Sequence, residues 1–336
     1  MISALDCAYL ADDVYNRANN NLAQERGWLR VDAQNWLHGF AAGIYERGGE
    51  RVVAFRGTDT DDADDILSDA RMVPVATVQQ ITRVVPTILH EYGVGDRTEL
   101  VIGGTLLSEV LASYRARMAT AVLANQAPPI QTHQAQSYLR QVSPQPVYLT
   151  GHSLGGALAK VISLNTGIPC IAFNSPYMGT LRGVVPMSSE GITSINARLD
   201  PLSLSTRAVG NLPHGRDIVV DTPACPRRPP MRPTVEQYDS GIQCAAPTGA
   251  WWTSQAGMNA YLSASFCELA REIAQPVGEV LSAPERYYRY ITERRPDYVR
   301  ELLAYLGEAA GYYHSMEALR EAMMGMPRFR QPLRLR

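Results

Sequence analysis

The segment with the most chemical promise is Val147-Tyr148-Leu149-Thr150-Gly151-His152-Ser153-Leu154-Gly155-Gly156-Ala157-Leu158-Ala159. A serine with glycine two positions away on each side can stand at the apex of a strand-to-helix turn too sharp for bulkier neighbours, which lifts its Oγ clear of the backbone. Such a hydroxyl is a nucleophile for acyl transfer once a base takes its proton and a carboxylate orients the base. Ser153 is the candidate nucleophile, and Gly151 and Gly155 make the turn feasible.

When this turn carries a catalytic serine, the partners follow along the chain in the order Asp, then His. The run Ile195-Asn196-Ala197-Arg198-Leu199-Asp200-Pro201-Leu202 reads as a strand that its proline stops, so Asp200 is the candidate carboxylate. Two histidines follow it. His314, in Gly311-Tyr312-Tyr313-His314-Ser315, reads as part of a loop opening into the last helix and is preferred. His214, 14 residues after Asp200, is the alternative, with a short loop to reach across. His38, His90, His133 and His152 read as surface or packing residues. Acyl transfer also needs two donors aimed at the oxyanion. The N–H of Leu154 is one; the loop Phe55-Arg56-Gly57-Thr58-Asp59 offers the N–H and hydroxyl of Thr58, with Gly57 permitting close backbone approach.

The elements that must position these groups follow from periodicity. Residues 2–18 have apolar positions at helical spacing, while Trp28–Asp32 and Leu37–Glu46 read as strands. Two glycines at 48–49 suit a hairpin tip. Val52–Phe55 is continuously apolar, as a central strand covered on both faces requires. Residues 106–123 read as helical, then strand 146–150, helix 154–164, and strands 169–173, 192–198 and 217–220. The chain from Ser254 onward reads as mostly helical. Strands alternating with helices predict an α/β fold with a mostly parallel sheet and helices on both faces. No internal repeat occurs, so residues 1–336 read as one domain, with 73–130 inserted as a lid or cap and 222–250 as a Pro-rich loop.

Composition narrows the function classes. Thirty-one basic residues against 33 acidic ones leave a net charge of −2, so no general attraction to nucleic acid is expected. Lys160 is the sole lysine. No run of 18 apolar residues predicts a membrane-spanning helix. The first residues lack a basic start followed by an apolar core, so the expectation is a cytoplasmic protein or one exported without a signal peptide. Five cysteines form no CxxC pair, which predicts no structural metal site, and serine chemistry needs no cofactor. Cys225 and Cys244 bracket prolines and read either as a disulfide of an oxidising compartment or as two unrelated thiols.

Together the segments Val52–Asp59, Asp65-Ile66-Leu67-Ser68-Asp69, Thr150–Ala159, Ala172–Gly179 and Asp200-Pro201 resemble the class 3 (fungal-type) triacylglycerol lipase family of α/β hydrolases. The resemblance implies an α/β-hydrolase fold, a triad of Ser153, Asp200 and His314, and an oxyanion hole of Thr58 and Leu154. It also implies a supporting role for Asp69 beneath the oxyanion loop. A carboxylic ester hydrolase acting on acylglycerols or phospholipids at a membrane or micelle surface is thus expected. The alternatives are a small-ester or thioester hydrolase with an open site and a catalytically silent binding module. Three departures from the family pattern stand out: no His-x-Gly-Phe stretch precedes the elbow, 114 residues separate Asp200 from His314, and Phe173-Asn174-Ser175-Pro176 replaces the usual Gly-Ala before proline. The chain is also similar to signal-less antibacterial phospholipase effectors, which implies a secretion machine or an immunity protein as partner. The tail from Arg328 to Arg336, with Phe329 and Leu333 interleaved, reads as a frayed, solvated terminus rather than a lipid contact.

Overall fold

The computed structural model describes residues 1–15, 21–35, 40–57, 92, 130–177, 190–208, 213–229 and 296–333. Contacts divide the chain into two compact units. One comprises Met1–Ala76, Ala116–Ala224 and Ala310–Arg336, the other Thr77–Arg115 and Cys225–Ala309.

The first unit is built on strands β1 (Leu29–Asn35), β2 (Ala41–Arg47), β3 (Glu50–Phe55), β4 (Tyr148–His152), β5 (Cys170–Phe173), β6 (Ile192–Ala197) and β7 (Arg216–Val220). They form one seven-stranded sheet in sequence order. β1 and β2 enter as an antiparallel meander, and Gly48 and Gly49 turn the β2–β3 hairpin at φ 56° and 82°. Those positive values at both central residues match the twist of the flanking strands. From β3 to β7 every pairing is parallel.

Alternation along the central strands feeds two cores. Val52 and Ala54 of β3, Tyr148 of β4, and Ile171 and Phe173 of β5 face one core. That core is covered by α1 (Ala4–Asp13) and by α7 (Met316–Met324), through Leu5, Leu10, Leu319 and Met323. Val53 and Phe55, Leu149, and Cys170 and Ala172 face the other, covered by α3 (Ile130–Gln141) and α4 (Leu154–Thr166). A strand buried on both faces has no polar side to show, which is why Val52–Phe55 is uninterruptedly apolar. The α/β-hydrolase architecture expected from the sequence is the one observed, a mostly parallel sheet with helices on both faces.

Several boundaries differ from the sequence reading. α1 opens at a capping box, in which Ser3 and Asp6 each satisfy the other's backbone N–H, and it ends at Asp13 rather than 18. A short helix, α2 (Leu22–Glu25), leads to β1. β1 begins at Leu29 and β2 at Ala41. Pro201 does not merely stop β6: it starts α5 (Pro201–Ala208), where the missing N–H of proline costs nothing. As far as Leu333 the tail is tied down rather than frayed. Phe329, in a 3₁₀ turn at Pro327–Phe329, is buried in the core, and the Leu333 N–H donates to the Ile2 carbonyl at 2.7 Å. Residues 106–123 and 254–295 lie outside the described residues, as do 73–130 apart from Tyr92 and Ile130, and 230–250 of the Pro-rich loop. Cys225 is partly buried, whereas Cys244 lies outside the described residues. Residues 296–309 of α6 (Pro296–His314) belong to the second unit, where Leu302, Tyr305 and Ala309 are buried and Arg227 pairs with Glu308 at 2.6 Å. No described helix is long and apolar enough to cross a membrane.

Candidate active site

β4 ends in the expected turn, and α4 begins one residue after Ser153. Ser153 has φ 57° and ψ −128°, a conformation costing a non-glycine residue about 1–3 kcal/mol and tolerated only where the surroundings impose it. The imposing contacts involve the glycines. A Cβ on Gly155 would stand 2.1 Å from the Phe55 carbonyl oxygen, and one on Gly151 would stand 2.3 Å from that of Gly155. The strand, the turn and the helix therefore touch backbone to backbone.

The structure brings Ser153, His314 and Asp200 together. The Ser153 hydroxyl donates to His314 Nε2 at 3.0 Å, and His314 Nδ1–H donates to Asp200 Oδ1 at 2.6 Å. Because a carboxylate only accepts, the proton of the neutral ring sits on Nδ1 and Nε2 is the acceptor. Asp200 is fully buried at the C-terminal edge of the sheet, where it also caps α5 by accepting the Ser203 N–H on Oδ2 at 2.7 Å. Burial alone would raise the carboxyl's pKa. The facing imidazole and the Ser203 donors outweigh it and hold Asp200 below the ordinary carboxylate value.

His314 is not in a loop: it is the last residue of α6, and Ser315 caps the start of α7. His214 is excluded by topology. It precedes β7, so it lies at the N-terminal edge of the parallel strands, whereas Ser153 and Asp200 follow β4 and β6 at the opposite edge. A five-residue strand separates those edges by about 16 Å.

Two helix termini converge on this triad with opposite polarity. The first helical bond of α4 runs from the Ala157 N–H to the Ser153 carbonyl, leaving the N–H groups of Leu154, Gly155 and Gly156 without an acceptor inside the helix. That positive end favours an anion beside Ser153, while the negative end of α6 favours an imidazolium at His314. The pair suits a reaction that makes both charges at once.

Of the remaining predicted residues, Leu154 is buried at the start of α4, where its N–H has no acceptor inside the helix. Gly57 packs against the elbow: a Cβ there would meet Tyr15 Oη at 2.3 Å and the His152 carbonyl oxygen at 2.6 Å. Thr58 and Asp69 lie outside the described residues. Sequence reasoning missed Tyr15, His152 and Asn174. His152 is neither a surface nor an inert packing residue: Nδ1 accepts from the Tyr15 hydroxyl at 3.0 Å, and Nε2–H donates to the His314 carbonyl at 2.7 Å. The only signal for Asn174 was its place in the departure from Gly-Ala before proline.

A mostly parallel sheet with a serine on a strand-to-helix elbow, and Asp and His arriving from later strand and helix ends, defines the α/β-hydrolase class. The model of the family Lipase (class 3) matches residues 52–226, just over half of the 336 residues, and the chain belongs to that family. It is 38 % identical over 78 residues to the protein named "Putative lipase ATG15" of Vanderwaltozyma polyspora, covering 20 % of this chain and 14 % of that protein. To the protein of the same name in Kluyveromyces lactis it is 37 % identical over 68 residues, covering 18 % of this chain and 13 % of that one. The chain thus matches only about a seventh of the length of these curated relatives.

Proposed function

We propose that this protein is a serine-dependent carboxylic ester hydrolase acting on lipid esters presented at a membrane or micelle surface. The observation that supports this reading above all is the unbroken hydrogen-bond chain from Ser153 through His314 to Asp200, at 3.0 and 2.6 Å. Family membership supports the lipid character of the substrate.

In this reading Ser153 Oγ attacks the ester carbonyl while its proton passes to His314 Nε2. The carbonyl π electrons move onto oxygen, where the Leu154 N–H and the α4 terminus stabilise the oxyanion, with Thr58 as the second donor. Asp200 holds the imidazolium. Collapse of the tetrahedral intermediate breaks the bond to the alcohol oxygen, which takes the proton back from His314 and leaves the acyl group on Ser153. Water then repeats the sequence, with His314 as base, and releases the fatty acid.

The test is product analysis after incubation with mixed phospholipids and neutral glycerides, alongside Ser153→Ala. Release of free fatty acid by the natural chain and its loss in Ser153→Ala is the expected result. Equal release by Ser153→Ala ends the proposal. A rate that climbs as a soluble ester becomes micellar favours the lipid substrate; saturation on the monomer favours a small-ester hydrolase. A silent binding module would leave Ser153 unlabelled by a fluorophosphonate.

A further inference from the structure

We propose that His152 and Asn174 form a two-donor clamp on the main chain of His314, and are positioning residues for the base; the proposal rests on the reading of the site given above. The carbonyls at the end of α6 have no acceptor role left within the helix, so something else must satisfy them. The His314 carbonyl accepts from His152 Nε2 at 2.7 Å and from Asn174 Nδ2 at 3.0 Å. The Asn174 amide also donates to the Tyr313 carbonyl at 3.2 Å, while its Oδ1 accepts the Ala197 N–H at 2.8 Å. Asp200 fixes the far side of the imidazole, and the clamp fixes the backbone from which the imidazole hangs.

Both clamp residues are themselves held in place. A carbonyl can only accept, so His152 Nε2 carries the proton and Nδ1 is left to accept from the Tyr15 hydroxyl at 3.0 Å. The Tyr15 oxygen in turn accepts the Gly57 N–H at 3.0 Å. Donors and acceptors match along the whole chain with a neutral His152 ring. Asn174 is fully buried at φ 41°, a backbone conformation that asparagine tolerates better than most side chains. Glycine adopts the same φ without cost, so the backbone there does not itself demand a side chain. What the asparagine adds is its amide, which reaches the base.

The redundancy of the two donors dictates the experiment. Steady-state rates on a soluble short-chain p-nitrophenyl ester are measured per site titrated to completion with a fluorophosphonate, so that misfolded protein does not count. Asn174→Gly removes the amide without backbone strain. His152→Asn keeps an amide near the Nδ1 position but falls short of the His314 carbonyl, whereas His152→Gln places one near Nε2. Misplacement of a catalytic group by about 1 Å costs on the order of a hundredfold in rate. Each single variant, still held by the other donor, is expected to lose about tenfold in kcat with KM within about twofold. The double variant His152→Asn/Asn174→Gly is expected to lose more than the product of the two singles. His152→Gln is expected to recover most of what His152→Asn loses. A double variant at or below that product, a loss confined to KM, or a glutamine no better than asparagine overturns the clamp. If Ser153→Ala is dead while the clamp variants run at the natural rate, only the clamp fails. If Ser153→Ala is active, the reading of the site fails with it.

Discussion

Replacing Asp200 by asparagine tests the site with little change of shape. In the natural chain one carboxylate oxygen accepts the Ser203 N–H and the other accepts His314 Nδ1–H. An asparagine keeps its oxygen on the Ser203 N–H, since that buried donor has to be satisfied and asparagine is as good a helix cap as aspartate. Its NH₂ group then faces His314 Nδ1, which can pair with it only as an acceptor. The ring proton moves to Nε2, and the Ser153 hydroxyl loses the atom that should take its proton. The imidazolium also loses its buried counter-charge. In the Ser-His-Asp triad of serine proteases the same exchange costs about 10⁴ in kcat, equivalent to about 5 kcal/mol of barrier. A similar loss is expected for Asp200→Asn on a soluble chromogenic ester near pH 8, with KM and Tm close to those of the natural chain. Retention of activity to within about tenfold, with the fold intact, would refute the assignment of Asp200 as the partner of the base.

Gly155→Ala should destabilise by about 1–3 kcal/mol or more in urea unfolding, because the new methyl meets the fixed Phe55 carbonyl at 2.1 Å; an unchanged midpoint contradicts the tight elbow. Asp6 is buried, yet its pKa is lowered because the Arg47 hydrogen bond and the Ser3 cap outweigh the cost of desolvation. Its contribution is therefore complete above the unfolded pKa of about 3.9 and is lost as pH falls through the lower folded value. Asp6→Asn should cost about 2 kcal/mol at pH 7 and progressively less as pH falls below about 3.9; a pH-independent difference rules this out. Lys160 is fully buried, its ammonium donating to the Pro176 carbonyl at 2.9 Å, and desolvation pushes its pKa down to about 8. Between that value and the unfolded value of about 10.4 the unfolded chain binds the extra proton, so this group's contribution to stability rises with pH. Relative to Lys160→Met, the natural chain should gain up to about 3 kcal/mol from pH 8 to pH 10.5 in chemical unfolding, and a flat difference would show the ammonium is not desolvated.

The elbow and the central strands were legible because their signals are local. Gly151 and Gly155 bracket Ser153 within five positions, and Val52–Phe55 carries the two-faced burial of a central strand in its composition. The apolar spacing of Leu5, Tyr9, Leu10 and Val14 likewise revealed α1. Asp200 was found from the strand before it, although its second task, capping α5, was hidden: Asp-Pro reads equally well as a strand stop and as a helix start. The burial of Phe329 was missed because an arginine-bearing tail looks solvated until its partner, the start of the chain at Ile2, is known.

By itself, then, the order of residues determined which hydroxyl could be a nucleophile, that Val52–Phe55 is a strand covered on both faces and which fold class accommodates both, since each depends on neighbours a few positions apart. It favoured His314 but could not exclude His214. Across 114 residues, spacing along the chain carries no information about distance in space; strand direction does, and it puts His214 at the wrong edge of the sheet. Nor could it reveal that Tyr15, His152 and Asn174 converge around His314. Their hydrogen bonds join segments up to 162 residues apart, and such pairings exist only after the sheet has set β4 beside β5 and packed the end of α6 against them.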